Sequence, residues 1–224
     1  MPSPSTPGDN PAAFVATPAL RAALERAAVA VTLAPGDSLF LQDDDADALY
    51  LLDQGEIAIS VLAPSGRKLG LEIITEGEIF GEIGLFTGRR TASATALGAA
   101  RLRQVRRADL LALIRPDPDL AIELIALLCA RLRVMSERHE DRAFLPLATR
   151  LARLVLRLHA KIGQGDGTLP VSQAELADFT GSTREGVART LAVWRGRGWI
   201  RPGRGTLRLL DRAALEVVAA SPDD

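Results

Sequence analysis

The stretch FGEIGLFTGRRTA, residues 80–92, sets three glycines, one carboxylate and an Arg-Arg-Thr cluster into an apolar region that otherwise reads as strand. Gly81 and Gly84 allow close backbone approach and unusual dihedrals. A cluster of backbone amides beside a basic side chain is what a buried phosphate requires. Arg90 supplies that charge and Thr91 a hydroxyl donor. Glu82 would repel a phosphate, whereas a carboxylate beside an anion site suits the hydroxyls of a sugar. The stretch therefore describes a pocket for a sugar phosphate, with Arg89 read as a solvated neighbour.

On either side of this stretch, residues 29–105 alternate or run apolar in short bursts broken by APGD, QDDDAD, DQG, APSGR and TEGE, each a turn signal. Many short strands with close turns imply an antiparallel barrel or sandwich. LYLLDQGEIAISVL followed by GRKLGLEII reads as a hairpin with Pro64, Ser65 and Gly66 at its tip. ALRAALER, ahead of the strands, reads as a short amphipathic helix, and residues 1–10 as a disordered tail.

After RPDPD, which carries helix-start chemistry, a helical pattern runs to about Ala143. Ala121, Ile125, Leu128, Leu132, Met135, His139 and Arg142 recur at steps of four and three, a heptad seam whose apolar members favour a parallel homodimer. Leu124 and Leu127 lie off that seam and are available to the barrel. Pro146 restarts a helix, because proline is tolerated in a first turn but breaks a continuing ladder. A hinge is therefore expected at 144–146.

The formal net charge of −1 conceals an asymmetry. Residues 1–146 hold 15 basic and 20 acidic side chains, and residues 147–212 hold 12 and 5. A basic segment on an acidic protein suggests a polyanion partner for that segment. Within it, SQAELADFTGSTREGVARTLAVWRGRG carries a capping box, Ser172 with Glu175, then Gly181 in a tight turn. Ser182 or Thr183 caps a second helix whose buried face is Val187, Leu191 and Trp194. This is a helix-turn-helix pattern. Arg184, Glu185 and Arg189 lie early on the second helix, where arginine can take guanine O6 and N7 and glutamate can accept from cytosine N4. The bland alternative for Glu185 and Arg189 is a surface ion pair. Two short strands after it, with Arg201, Arg204 and Arg208, form a wing near phosphates.

PGDSLF, LLDQGEIAI, FGEIGLF with RRTA, the long helix and STREGVAR, in this order, resemble the cyclic AMP receptor protein (CRP/FNR) family of bacterial transcription regulators. The resemblance covers nearly the whole chain after residue 20. It implies an α+β architecture: a jelly-roll cyclic-nucleotide-binding barrel at 11–115, a dimerisation helix and hinge at 116–145, and a winged helix-turn-helix domain at 146–224. It further implies that Glu82 takes the ribose 2′-hydroxyl, and that Arg90, Thr91 and the Gly81 backbone take the cyclic phosphate. Arg131 would support the ribose region, and Ser136 would reach the base of the ligand in the other subunit. Arg184, Glu185 and Arg189, with the capping Thr183 beside them, would meet double-stranded DNA. Two departures stand out. Met135 replaces a threonine that contacts adenine in cyclic-AMP-specific members, and a thioether is a poor hydrogen-bond partner. Gly186 replaces a hydroxyl residue near the DNA.

The expected effector is a cyclic nucleotide, cAMP before cGMP; the alternative is a changed pocket or another ligand such as cyclic di-GMP. Activation would add RNA polymerase as a partner. No enzyme activity is expected, since a two-metal phosphodiesterase needs clustered His and Asp ligands and the chain has only His139 and His159. No metal site is expected either. Cys129, the one cysteine, reads as core. One cysteine permits no disulfide within the chain, no apolar run is long enough to span a bilayer, and the N-terminus has no secretory pattern, so a cytoplasmic location without membrane contact is expected.

Overall fold

A computed structural model describes residues 15–221, so the expected tail at 1–10 lies outside the described residues. The chain divides into two compact units whose boundary falls at Arg133/Val134.

The N-terminal unit begins with α1 (Pro18–Ala27), started by proline in its first turn and by the Thr17 hydroxyl, which accepts from the Leu20 amide at 3.2 Å. Eight strands follow in two antiparallel four-stranded sheets. The first has the order β1 (Val29–Leu33), β8 (Ala100–Arg106), β3 (Ala48–Gln54), β6 (Ile79–Phe80). The second has the order β2 (Ser38–Phe40), β7 (Ser93–Ala96), β4 (Ile57–Leu62), β5 (Lys68–Ile74). Two short helices, α2 (Glu82–Thr87) and α3 (Arg107–Ile114), interrupt and follow the strands, and the long α4 (Asp119–Phe144) leaves the unit.

Strand β3 shows why the sheets stack as they do. Ala48, Tyr50 and Leu52 enter the core between the sheets with Ile57, Ile74, Phe80 and Leu102. Leu49 and Leu51 enter a second core with Leu24 of α1, Leu110 of α3 and Leu120, Leu124 and Leu127 of α4. Buried on both faces, β3 reads as a continuous apolar run rather than an alternating one. Leu124 and Leu127 thus take the barrel side of α4, while Ile125, Leu132 and Met135 of the seam remain exposed.

The structure amends the sequence reading in several places. The hairpin is β4 with β5 alone, since LYLLDQ pairs with β8 and β6 in the other sheet. The glycine-rich stretch is not strand throughout: residues 82–87 form α2. Cys129 is exposed, not core, because it falls on the side of α4 away from Leu124 and Leu127.

In the C-terminal unit, α4 ends at Phe144 and α5 (Leu147–Ile162) begins after Pro146, a break at 144–146. α5 buries Leu151, Val155 and Leu158. Then come β9 (Thr168–Leu169), α6 (Gln173–Thr180), α7 (Arg184–Gly196), β10 (Ile200–Gly203), β11 (Thr206–Leu209) and α8 (Arg212–Ala220). The wing is a three-stranded sheet, β10-β11-β9, one strand more than the sequence suggests. α8, which the sequence reading passes over, packs on α5. Arg153 Nε donates to the Ala219 carbonyl at 2.9 Å, and the Thr149 hydroxyl to that of Ser221 at 3.0 Å.

Candidate functional site: a buried carboxylate and guanidinium, and an exposed recognition helix

Between β6 and β7 the chain turns through Gly81, whose φ of +80° is accessible to glycine and strained for other residues. A Cβ there would lie 2.8 Å from Arg90 Nη1, so glycine is also needed for space. Arg90 is 4% exposed. Its Nη1 donates to the carbonyls of Ala48 at 2.8 Å and Gly81 at 3.0 Å, and its Cζ lies 4.1 Å from the centroid of the Phe40 ring. These contacts fix the guanidinium's orientation, and its Nε is buried without a hydrogen-bond partner. Burial holds the Arg90 pKa below its ordinary value, against the opposing pull of Tyr50, Asp47, Asp44 and Glu82.

Glu82, the first residue of α2, is 2% exposed. Its Oε1 accepts from Arg131 Nη1 of α4 at 2.6 Å, and Arg131 Nη2 also donates to the Ile79 carbonyl. Its other oxygen, Oε2, is buried without a partner. A buried acceptor and a buried donor of opposite charge, both with an atom unused, form a site that can take hydroxyls on one side and an anion on the other. These residues fit a cyclic nucleotide. Thr91 is exposed beside Arg90, and Met135 and Ser136 lie exposed on α4, one turn or more beyond Arg131. The structure therefore brings together Gly81, Glu82, Arg90 and Arg131, and does not draw Thr91, Met135 or Ser136 into the buried cluster.

The second region is built by local rules. Ser172 and Glu175 form a reciprocal capping box at the start of α6. Gly181, in the left-handed conformation at φ +64°, ends that helix. Two residues later the Thr183 hydroxyl, rather than that of Ser182, caps α7 by accepting from the Gly186 amide at 3.1 Å. Val187, Leu191 and Trp194 are buried beneath α7, which leaves Thr183, Arg184, Glu185 and Arg189 exposed. Among the described residues no ion pair joins Glu185 to Arg189, so all three side chains are available to an external partner. A Cβ on Gly186 would lie 3.1 Å from Leu147 Cδ2 of α5, so α7 packs close to α5 there. In the wing, Arg201 and Arg204 are exposed, while Arg208 Nε donates to the Asp166 carbonyl at 2.9 Å.

Residues 30–117 match the cyclic nucleotide-binding domain, and residues 149–218 the Crp-like helix-turn-helix domain. The chain is 32% identical over 190 residues to a CRP-like cAMP-activated global transcriptional regulator of Mycobacterium tuberculosis, covering 82% of this chain and 85% of that one. It is 36% identical over 186 residues to the cyclic AMP receptor protein of Thermus thermophilus, with the same two coverages. The chain belongs to the CRP/FNR family of bacterial transcription regulators. A solved CRP/FNR-family regulator from Thermus thermophilus superposes with a TM-score of 0.76 at 28% identity, covering 87% of this chain and all of that one. As a CRP/FNR-family member the chain is a cyclic-nucleotide-binding, DNA-binding regulator and not an enzyme. Among the described residues no group of His, Cys, Asp and Glu could hold a metal, and no helix is long and apolar enough to cross a membrane.

Sequence reasoning from the residues alone passes over two residues of the cluster around Arg90. Phe40 and Tyr50, which flank the Arg90 guanidinium, carry no local signal because they lie on other strands, forty or more residues from Arg90. Their clue is indirect: PGDSLF and LYLL, the segments that bear them, each place an aromatic among apolar strand residues.

Proposed function

We propose that this CRP/FNR-family regulator is a homodimer whose DNA-binding state is selected by a cyclic mononucleotide, cAMP before cGMP. The observation that carries the reading is the buried pair Glu82 and Arg90, each with one polar atom without a partner. Arg90 would hold the cyclic phosphate, with Thr91 and the Gly81 backbone at its rim. Glu82 Oε2 would accept from the ribose 2′-hydroxyl while Arg131 holds Oε1. The names of the Mycobacterium tuberculosis and Thermus thermophilus relatives support cAMP. Met135 and Ser136 would meet the base, and a thioether in place of a hydroxyl leaves base choice to shape and to Ser136.

The link from ligand to DNA runs through α4. Arg131 anchors that helix to Glu82, so occupancy of the pocket bears on α4 and, through the 144–146 break, on α7. The ligand must bind the DNA-competent arrangement more tightly for the equilibrium to shift. Ile125, Leu132 and Met135 are 55%, 66% and 54% exposed on one seam, a face suited to a second copy. In the dimer the two α7 helices would enter successive major grooves about 34 Å apart, with Arg184, Glu185 and Arg189 at base edges. RNA polymerase is the further partner if the protein activates transcription, and the cytoplasm is where such a regulator works.

Isothermal titration calorimetry of nucleotide-stripped protein with cAMP, cGMP and cyclic di-GMP in parallel tests the reading. Saturable heat with a cyclic mononucleotide, strongest for cAMP, is expected. Heat from cyclic di-GMP alone would transfer the pocket to a different ligand class.

A further inference from the structure

Much of what holds Arg90 comes from the end of β2. The loop after that strand pins the Arg90 main chain from both sides. Its amide donates to the Asp44 carbonyl at 2.9 Å, and its carbonyl accepts at 2.8 Å from the amide of Asp43, a residue in the left-handed region at φ +70°. Phe40, the last residue of β2, reaches the guanidinium through a shift of register. Three residues of β2, Ser38 to Phe40, stand against two of β7, Thr95 and Ala94, so the strand bulges by one residue. In a regular strand Phe40 would share the face of Ser38. The extra residue puts it opposite Ala94, which is fully buried in the core between the sheets.

Tyr50, from β3 of the other sheet, supplies a second ring. Arg90 Cζ lies 4.1 Å from the Phe40 centroid and 5.3 Å from that of Tyr50. The two rings are 5.8 Å apart with 29° between their planes, and Phe80 packs against both, with centroids at 6.3 Å and 5.5 Å. The face of an aromatic ring attracts a cation, more strongly away from water. Arg90 Nη1 is committed to the Ala48 and Gly81 carbonyls, so an oxyanion is left the edge that carries Nε, which is buried without a partner. A guanidinium offers such an edge as a rigid two-donor fork, which serves a phosphate only when its plane is aimed. Hydrogen bonds to one nitrogen set where that atom lies. Packing against the faces sets how the plane tilts.

We propose that Phe40 and Tyr50 are positioning residues of the effector pocket, holding the Arg90 guanidinium, before ligand binds, in the orientation that takes the phosphate of a cyclic mononucleotide. This rests on the cyclic-mononucleotide reading of the Glu82 and Arg90 pocket. It makes the bulge in β2 part of how ligand affinity is built, since the bulge is what brings Phe40 to the guanidinium.

The test compares the wild-type full chain, stripped of nucleotide, with Phe40→Leu and Phe40→Tyr. Phe40 is only half-buried, so both variants should fold. Leucine keeps an apolar side chain and loses the ring, whereas tyrosine keeps the ring. Calorimetry with cAMP should show binding weakened about three- to thirty-fold by Phe40→Leu and kept within about twofold by Phe40→Tyr. A second readout needs no ligand. In nitrogen-15 NMR of the stripped protein, the Arg90 Nε–H resonance, assigned by its absence in Arg90→Lys, should be sharp in the wild type and in Phe40→Tyr, and broadened or shifted in Phe40→Leu. A Phe40→Leu protein that binds cAMP as tightly as the wild type, even with a lowered Tm, would overturn the proposal by reducing Phe40 to packing. Equal weakening by leucine and tyrosine would overturn it too. Either result beside saturable wild-type heat leaves the pocket reading standing and removes only the role of the rings. No heat from the wild type with cAMP or cGMP would overturn both.

Discussion

Arg90 has two structural duties that a ligand role alone would not require: it satisfies the buried carbonyl of Ala48 and the part-buried one of Gly81, and it stacks on Phe40. Arg90→Ala should therefore weaken cyclic-nucleotide binding by about 1.5–3 kcal/mol or more and also lower stability by about 1–3 kcal/mol, because a buried and a part-buried acceptor lose their donor. Calorimetry and denaturant melts on the same sample separate the two effects. Breaking the Arg131–Glu82 pair from one side leaves a buried carboxylate, so Arg131→Met should cost about 3 kcal/mol or more. The double change with Glu82→Gln should cost less than the sum of the singles. Glu56 carries a pH signature. Burial raises its pKa, so the fold favours its protonated form; the stability this lends is full below the ordinary carboxylate value and is lost as the pH rises through the folded one. Glu56→Gln should then stabilise the protein at pH 7 by less than about 1 kcal/mol. The gain should disappear in thermal melts taken below the ordinary carboxylate value of about 4.3. The types of residue in the pocket are legible in FGEIGLFTGRRTA because the glycines, carboxylate and arginine are close in sequence. The Glu82–Arg131 contact spans 49 residues, and only the packing of α4 on the barrel creates it.

Elements bounded by local chemistry are the most legible. The capping box of Ser172 and Glu175, the left-handed Gly181 and the Thr183 cap each act within four residues, so the helix-turn-helix can be read from its letters. Thr183→Ala should cost about 1 kcal/mol in chemical denaturation, the usual loss for a helix N-cap. Elements whose state depends on distant partners are less legible. α2 is only six residues long, too short to announce a helical period, and forms where Gly81 redirects the chain and where a Cβ on Gly84 would lie 2.8 Å from the Ala46 methyl, leaving room only for glycine. β9 is two residues long and exists only because β11 offers it an edge. α8 has a legible start, Asp211 accepting from the Ala214 amide at 2.9 Å, but its docking on α5 is a tertiary fact.

At the scale of the whole molecule, the exposed seam of α4 and the exposed face of α7 set the remaining expectations. Leu132→Glu should convert a dimer to monomers in sedimentation, leave the barrel folded while weakening cyclic-nucleotide binding by the loss of the other subunit's Ser136, and abolish tight binding to a two-fold DNA site. Arg189→Ala should reduce discrimination between specific and scrambled duplexes by about 1–3 kcal/mol, read as the ratio of dissociation constants at one salt concentration. The sequence by itself determined the class of the two regions, the order in which they occur, the basic character of the second and the residue types at each site. All of these follow from short-range rules: turn chemistry, helix caps, periodicity and charge. Only the tertiary structure decided which strands share a sheet, that Leu124 and Leu127 rather than the seam residues cover the barrel, and that Cys129 is exposed. Burial and pairing depend on which distant surfaces exclude water together, and no local pattern encodes that partner.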